Sequence, residues 1–285
     1  MKKSRILSFF VVSLVYVLAI ILGVIVYNVL DFHFAINLLI ADVLATILVF
    51  IFSLIFKNAS VYDPYWSVQP IVIVLTYCFK CELTIYRILP LIAICLWGIR
   101  LTANWAYTFK SLEHQDWRYT MLKEKTKVFY PVINFIGIHM VPTLIVYACT
   151  LPAVYLLEYE GTLKVFSIIF FLVSVFAFTM QGIADIQMHK FRKKNTGTFI
   201  RDGLWKYSRH PNYLGEILMW WGIGMYAIIT LDKYYYLIIG AILNTLLFLF
   251  VSIPMAENRQ KNRKPGFEEY KKETRMLFPI KKWLK

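Results

Sequence analysis

Six polar or conformationally special residues fall within the eight positions Arg209-His210-Pro211-Asn212-Tyr213-Leu214-Gly215-Glu216. The stretch lies between a cluster of lysines and arginines and a tryptophan-rich apolar run. Pro211 suits the first turn of a helix, where its missing N–H would have no partner anyway. The free N–H groups of such a helix start, with their partial positive charge, favour a phosphate. Seven Lys or Arg residues between 190 and 210 face one acid, Asp202. That charge alone is what anionic lipid head groups attract. Asn212 and Glu216, one turn apart on the following helix, add what a specific pocket for an anionic ligand needs.

Upstream, Gln181, Asp185 and His189 recur every four residues and Arg192 follows three later, so all four share one helix face. An aspartate at the end of an apolar helix needs a partner. Arg192 is almost two turns away, beyond the reach of a direct pair. A ligand between them would serve both, with the carboxylate accepting from hydroxyl or amide groups and the guanidinium binding phosphate in a fork. The basic run continues through Lys193-Lys194-Asn195-Thr196-Gly197-Thr198. Trp97, Arg100, Asn104 and Tyr107 likewise share a face; Arg100 can snorkel outward, whereas Asn104 points to a polar-lined cavity. The loop Glu113-His114-Gln115-Asp116-Trp117-Arg118-Tyr119 reads either as a ligand-holding segment or as an interfacial aromatic belt with local ion pairs. Asp63, before Pro64, reads either as a turn residue or as a buried acid kept protonated by desolvation. The tail, with Glu257, Arg259, Phe267-Glu-Glu-Tyr270 and Leu277-Phe278-Pro279, interleaves aromatics with charges and is expected to fold over the mouth of the helices.

The elements that position these residues are set by composition. Of 285 residues, 59% are hydrophobic and 17% charged, far from an ordinary soluble domain. Runs of about 20 apolar residues match a hydrocarbon core of roughly 30 Å. About eight such runs predict spans near 6–27, 35–56, 64–79, 86–109, 129–157, 163–189, 212–230 and 234–254, the third and seventh being shortest, so that seven is the other count. The expected fold is an all-α, polytopic transmembrane helical bundle. Its expected parts are residues 1–128, holding a substrate cavity, and 129–285, holding a cofactor. The net charge of +14 is concentrated in residues 1–5, Lys57 and the 110–128, 190–210 and 255–285 segments, all on one side if eight spans alternate. The positive-inside bias makes that side cytoplasmic and contains both termini; the same distribution argues against nucleic acid. The first apolar run is too long, and lacks the small-residue site, for a cleaved signal peptide. Cys78-x-x-Cys81, with Cys95 and Cys149 in apolar runs, predicts reduced thiols and no metal site.

The C-terminal half resembles the steroid 5α-reductase superfamily, which includes the sterol reductases and a microbial membrane subgroup. The resemblance rests on the Asp185 to Arg192 spacing, on Gly203-Leu204-Trp205-x-Tyr207-Ser208-Arg209-His210-Pro211-Asn212-Tyr213-Leu214-Gly215-Glu216, and on Phe267-Glu-Glu-Tyr270 with Phe278-Pro279. Asp63-x-x-Trp66, Trp97-x-x-Arg100 and the 113–119 loop extend it to the N-terminal half. It implies a multi-pass reductase, of a bacterial plasma membrane or endoplasmic reticulum, that uses NADPH to saturate a carbon–carbon double bond conjugated to a carbonyl in a lipophilic, steroid-like substrate. It implies nucleotide contacts from Arg100, Asp185, Arg192, Arg209, His210, Asn212, Tyr213, Glu216, Arg259 and Tyr270, and substrate contacts from Trp66, Trp97 and Asn104. Steroid 5α-reductases polarise the substrate with a glutamate and a tyrosine. Here Asp63 stands near the glutamate position as the catalytic candidate, and Trp97 stands at the tyrosine position, where an indole donates a hydrogen bond but is no practical acid.

Two other classes share parts of this pattern. Membrane methyltransferases using S-adenosylmethionine on isoprenylcysteine or phospholipids carry an Arg-His-Pro-x-Tyr-x-Gly element and a late acidic motif; the Asp185/Arg192 pair, Asn212 and Leu214-Gly215-Glu216 favour the reductase branch. A non-catalytic lipid-binding protein with a degenerate pocket is the third reading. Neither an inverted repeat nor paired broken helices suggests a transporter.

Overall fold

An apolar segment inside a bilayer satisfies its backbone at least cost as a helix, and the computed structural model, which describes residues 4–194 and 197–279, is all-α. Asn195 and Thr196 of the basic run and residues 1–3 of the basic head lie outside the described residues. The order is α1 (Arg5–Val29), α2 (Phe34–Phe56), α3 (Tyr65–Cys78), α4 (Ile85–Thr108), α5 (Trp117–Thr126), the single turn α6 (Tyr130–Val132), a π-helical stretch Ile133–Met140 and α7 (Val141–Glu158). Then come α8 (Val165–Lys194), α9 (Pro211–Leu231), α10 (Ile239–Leu247), a second π-helical stretch Phe248–Ser252, α11 (Ile253–Arg263) and α12 (Phe267–Glu273).

Among the described residues, seven helices are long and apolar enough to cross a membrane, and the protein is a multi-pass membrane protein. The exception to the eight expected runs is 64–79. It forms α3, a helix of 14 residues, which reaches only about 21 Å at 1.5 Å per residue. The chain before it is held in a turn as far as Pro64 by contacts to the loop after α4, and Pro64 caps α3 without a side-chain bond.

Two compact units divide the chain: residues 1–82 with 94–154, and 83–93 with 155–285. In the first unit the broken helix after α5 is tied to the N-terminal helices. Thr143 Oγ1 lies 3.0 Å from Thr46 Oγ1 of α2 and 2.8 Å from Tyr62 Oη. The His139 ring packs 4.7 Å from that of Tyr62. In this first unit α1 is capped by Ser4. It buries Ser8, Val12, Val15 and Ala19 and exposes Phe10, Leu14, Val17 and Ile21, the inside-out amphipathicity of a lipid-facing helix.

In the second unit α8 and α9 pack backbone to backbone. A Cβ on Gly215 would lie 2.7 Å from the Ala177 carbonyl, and one on Gly222 2.7 Å from that of Phe170. Small residues seven apart are what close membrane-helix packing requires. The start of α4 is fixed by Arg87, whose Nε donates to the Leu156 carbonyl at 3.0 Å and whose Nη2 meets Glu160 at 3.2 Å. The tail returns to the α9 entry: Arg209 N donates to Arg275 O at 2.9 Å and His210 N to Met276 O at 3.2 Å.

Seven crossings would put the two basic ends on opposite faces, whereas the charge asymmetry puts them on one face. Expected, therefore, is that α3 carries the chain across as a short passage. In a variant lacking the four native cysteines, Glu82→Cys should react with an impermeant maleimide from the same face as Asp31→Cys. Labelling from opposite faces would make α3 re-entrant.

Candidate functional site

In the first unit Asp63 is positioned by a clamp between residues 58–63 and the loop after α4. Asn58 Nδ2 donates to the Leu112 carbonyl at 2.7 Å, and Asn58 Oδ1 accepts from Ser60 N at 2.8 Å. Ala59 N donates to Gln115 Oε1 at 3.1 Å and Asp116 N to Ser60 Oγ at 2.8 Å. Asp116 then caps α5, accepting from Arg118 N at 2.9 Å, as Asp does at helix starts. The first turn of α5 thereby brings the Tyr119 hydroxyl to Asp63, donating to Oδ1 at 2.5 Å, with Arg118 Nη2 at 3.8 Å. Tyr119 is buried and Asp63 has 16% of its side chain exposed. Burial pushes the Asp63 carboxyl up to about 6; the Asp116 charge adds to this, while Arg118 and the bonds from Tyr119 and Ser60 oppose it. Asp63 thus ends a turn and carries a carboxyl whose proton affinity is raised by burial.

Four further sequence candidates lie in this unit. Trp66 is half-buried in the first turn of α3. Trp97 is fully buried on α4, beside Gly98, where a Cβ would come 2.7 Å from the Ser67 carbonyl. Arg100 and Asn104 are half-buried on the same helix. Tyr119, not Trp97, partners the candidate acid. The 56 residues between Asp63 and Tyr119 explain why no local rule finds the pair; the only sequence signal was the Asp116 cap before an aromatic pair.

In the second unit the eight-residue motif is built around Glu257 of α11. Glu257 Oε1 accepts from Arg209 Nε at 2.8 Å and from His210 Nε2 at 3.1 Å, and Oε2 lies 3.1 Å from Lys271 Nζ. Arg209 also donates to the Lys271 and Thr274 carbonyls. Burial pushes His210 below its ordinary range despite Glu257, so the neutral ring donates through Nε2. Tyr213 stacks on His210, centroids 5.2 Å apart. The Tyr270 hydroxyl donates to the Trp205 carbonyl, and burial raises it to about 12. Arg259 is half-buried on α11. Sequence reading missed Glu257 as the hub because its partners Arg209, His210 and Lys271 come from two distant segments.

Along α8, exposure rises from buried Gln181 through half-buried Asp185 and His189 to exposed Arg192. Gln181 Nε2 donates to the Asn212 carbonyl at 3.3 Å and to Glu216 Oε2 at 2.6 Å, and Trp220 Nε1 donates to Glu216 Oε1 at 2.9 Å. No donor among the described residues reaches the buried Oδ1 of Asn212. Beside the α9 entry lies a cleft of about 800 Å³, lined by Arg209, Lys271 and Arg275 and by Leu218, Trp221 and Phe278. Arg275 is exposed, with no ion-pair partner among the described residues.

Removing the Glu257 charge strands a buried guanidinium. Glu257→Gln should therefore lower stability by about 3–5 kcal/mol, read as an earlier thermal unfolding transition in detergent. An unchanged transition would show that Arg209 does not depend on it.

Known proteins frame this geometry. An uncharacterized protein of Schizosaccharomyces pombe is 24% identical over 287 aligned positions, covering 88% of this chain and 83% of the relative. No solved structure matches. Residues 49–274, which include the Asp63–Tyr119 pair, the α8–α9 face and the Glu257 hub, match the model of a family described as a protein of unknown function, DUF1295, and the chain belongs to that family.

Proposed function

We propose that this protein is a membrane-embedded oxidoreductase that uses NADPH to reduce a carbon–carbon double bond conjugated to a carbonyl in a lipophilic, steroid-like substrate. The observation that carries the reading is the Asp63–Tyr119 pair. It supplies, from this chain's own residues, the carboxyl–phenol combination that the resemblance to steroid 5α-reductases calls for and that Trp97 denies at the expected position.

The chemistry asks for a proton where negative charge develops on the substrate oxygen. Asp63, raised to about 6 by burial, retains a protonated fraction near neutral pH and is the acid. Its Oδ1 takes the Tyr119 hydroxyl, which leaves Oδ2 to carry the proton toward the substrate. Tyr119 is a positioning residue that fixes the carboxyl rotamer. NADPH supplies the hydride when bound. The residues that fit it are Asp185 and Arg192 on α8, Asn212 with its unmet acceptor, and Arg209, Lys271 and Arg275 around the cleft. His210, Glu216 and Tyr270 stay nucleotide candidates on the resemblance, each also held by a partner within the chain, as Arg209 and Lys271 are. Arg100, Tyr213 and Arg259 are kept as candidates on the resemblance alone, as are Trp66, Trp97 and Asn104 for the substrate.

Purified protein titrated with NADPH, NADH and S-adenosylmethionine tests the cofactor; binding of the sulfonium alone would replace the reductase with a methyltransferase, and binding of none would leave a lipid-binding protein. Arg192→Ala should weaken NADPH binding by about 1–3 kcal/mol. Asp63→Asn should cut turnover of a lipophilic enone by about 10²–10⁴-fold with nucleotide affinity unchanged. The sign of the pH effect follows from the raised carboxyl: Asp63 is protonated below about 6, so the rate should fall as pH rises through that value. A flat profile, or an active Asp63→Asn enzyme, defeats the mechanism.

A further inference from the structure

The first unit also holds a cavity that neither Asp63 nor Tyr119 lines. Helices α1, α2 and α3 enclose a cavity of about 120 Å³. Small residues make the space: Ala19 and Gly23 one turn apart on α1, Ala41 and Ala45 one turn apart on α2. Its walls combine apolar side chains with the polar Asn28, Asp42, Gln69, Thr76 and Lys80, and Ile20 and Val24 both line it and are exposed, at 36% and 40%, on the outer face of α1. The cavity is therefore reached sideways, from where lipid lies. At one end the Tyr27 and Tyr77 hydroxyls meet at 2.6 Å beneath the Lys80 ammonium, which sits 4.3 Å from the Tyr27 ring centroid.

The wall also carries a carboxyl at membrane depth. Asp42 is eight positions into α2, about 12 Å along its axis, and is 6% exposed. A carboxyl there is costly unless it is paired. Tyr65 Oη donates to Oδ1 at 2.8 Å, and Gln69 Nε2 donates to Oδ2. Tyr65 and Gln69 are one turn apart on α3, so a single helix face supplies both donors. With its nitrogen turned to Asp42, Gln69 is left with an acceptor: Oε1 is buried, Gln69 is 6% exposed, and no donor among the described residues reaches that oxygen. A buried polar atom without a partner is costly, and this one belongs to a residue of the cavity wall.

We propose that this cavity binds a lipophilic alcohol drawn from the bilayer, its hydroxyl donating to Gln69 Oε1 and its hydrocarbon body lying along the Ala19–Gly23 and Ala41–Ala45 surfaces. The chemistry selects among lipid head groups. A fatty acid carboxylate has no proton to donate and meets Asp42. An ammonium brings three donors and is drawn to Asp42 as well, so its labelling relative to the alcohol is the competing outcome of the test. A hydroxyl matches the single acceptor. The site does not rest on the reductase reading and would stand if that reading failed.

The test uses the full chain in lipid nanodiscs and photo-crosslinking with an alkyne-tagged, diazirine-bearing hexadecanol, its methyl ether and the corresponding primary amine. The expected result is labelling of peptides from α1, α2 and α3, with the alcohol at least about tenfold above the ether, the loss of one hydrogen bond to a buried acceptor. Gln69→Leu should abolish the preference for alcohol over ether while keeping the thermal unfolding transition. Equal labelling by the ether, stronger labelling by the amine, labelling confined to other helices, or a preference that survives in folded Gln69→Leu would each overturn the proposal. Should Gln69→Leu fail to fold, the alcohol-to-ether ratio in the unaltered chain decides.

Discussion

Inside a bilayer no water completes a hydrogen bond, so each polar group on a spanning helix must find its partner within the protein or lose several kcal/mol. Much of the architecture follows from that constraint. Asp42 is met by Tyr65 and Gln69, Thr46 and Thr143 meet each other and Tyr62, and Glu216 is met by Gln181 and Trp220. Interhelical bonds in membranes are worth only about 0.6 kcal/mol each on average. Their effect is on specificity: a helix rotated by one residue would strand a carboxyl or an amide, and that penalty exceeds what the bond itself contributes.

Close packing works with this pairing. Gly215 and Gly222 let α9 settle onto α8 with backbone contacts that a methyl group would block. The approach puts Glu216 within reach of Gln181. The motif thus has a packing half and a chemical half. Leu214-Gly215-Glu216 ties α9 to α8, while Arg209 and His210 tie the α9 entry to Glu257 and the returning tail. The cleft flanked by Arg209, Lys271 and Arg275 exists because the tail is pulled across in that way.

The carboxylates of Glu257 and Asp63 have opposite surroundings. Glu257 sits among Arg209, His210 and Lys271, a setting that holds a fixed negative charge and organises cations. Asp63 has one guanidinium at 3.8 Å, offset by the neighbouring Asp116, and one phenol. Partial desolvation with incomplete compensation leaves such a group near the point of exchanging its proton. That contrast is why the proposed proton transfer belongs to Asp63 and the structural role to Glu257.

Hydrophobic runs of about 20 residues determined that the chain is a helical membrane protein, because span length and backbone satisfaction are local properties. Local rules also located the start of α9 at Pro211 and the shared face of Gln181, Asp185, His189 and Arg192. The run 64–79, read as one of the two shortest, forms α3 (Tyr65–Cys78). Tertiary structure alone decided the partners. Tyr119 reaches Asp63 across 56 positions and Arg209 reaches Glu257 across 48. Periodicity reports which face a residue occupies, but which faces meet is set by packing and by the pairing of buried polar groups across helices.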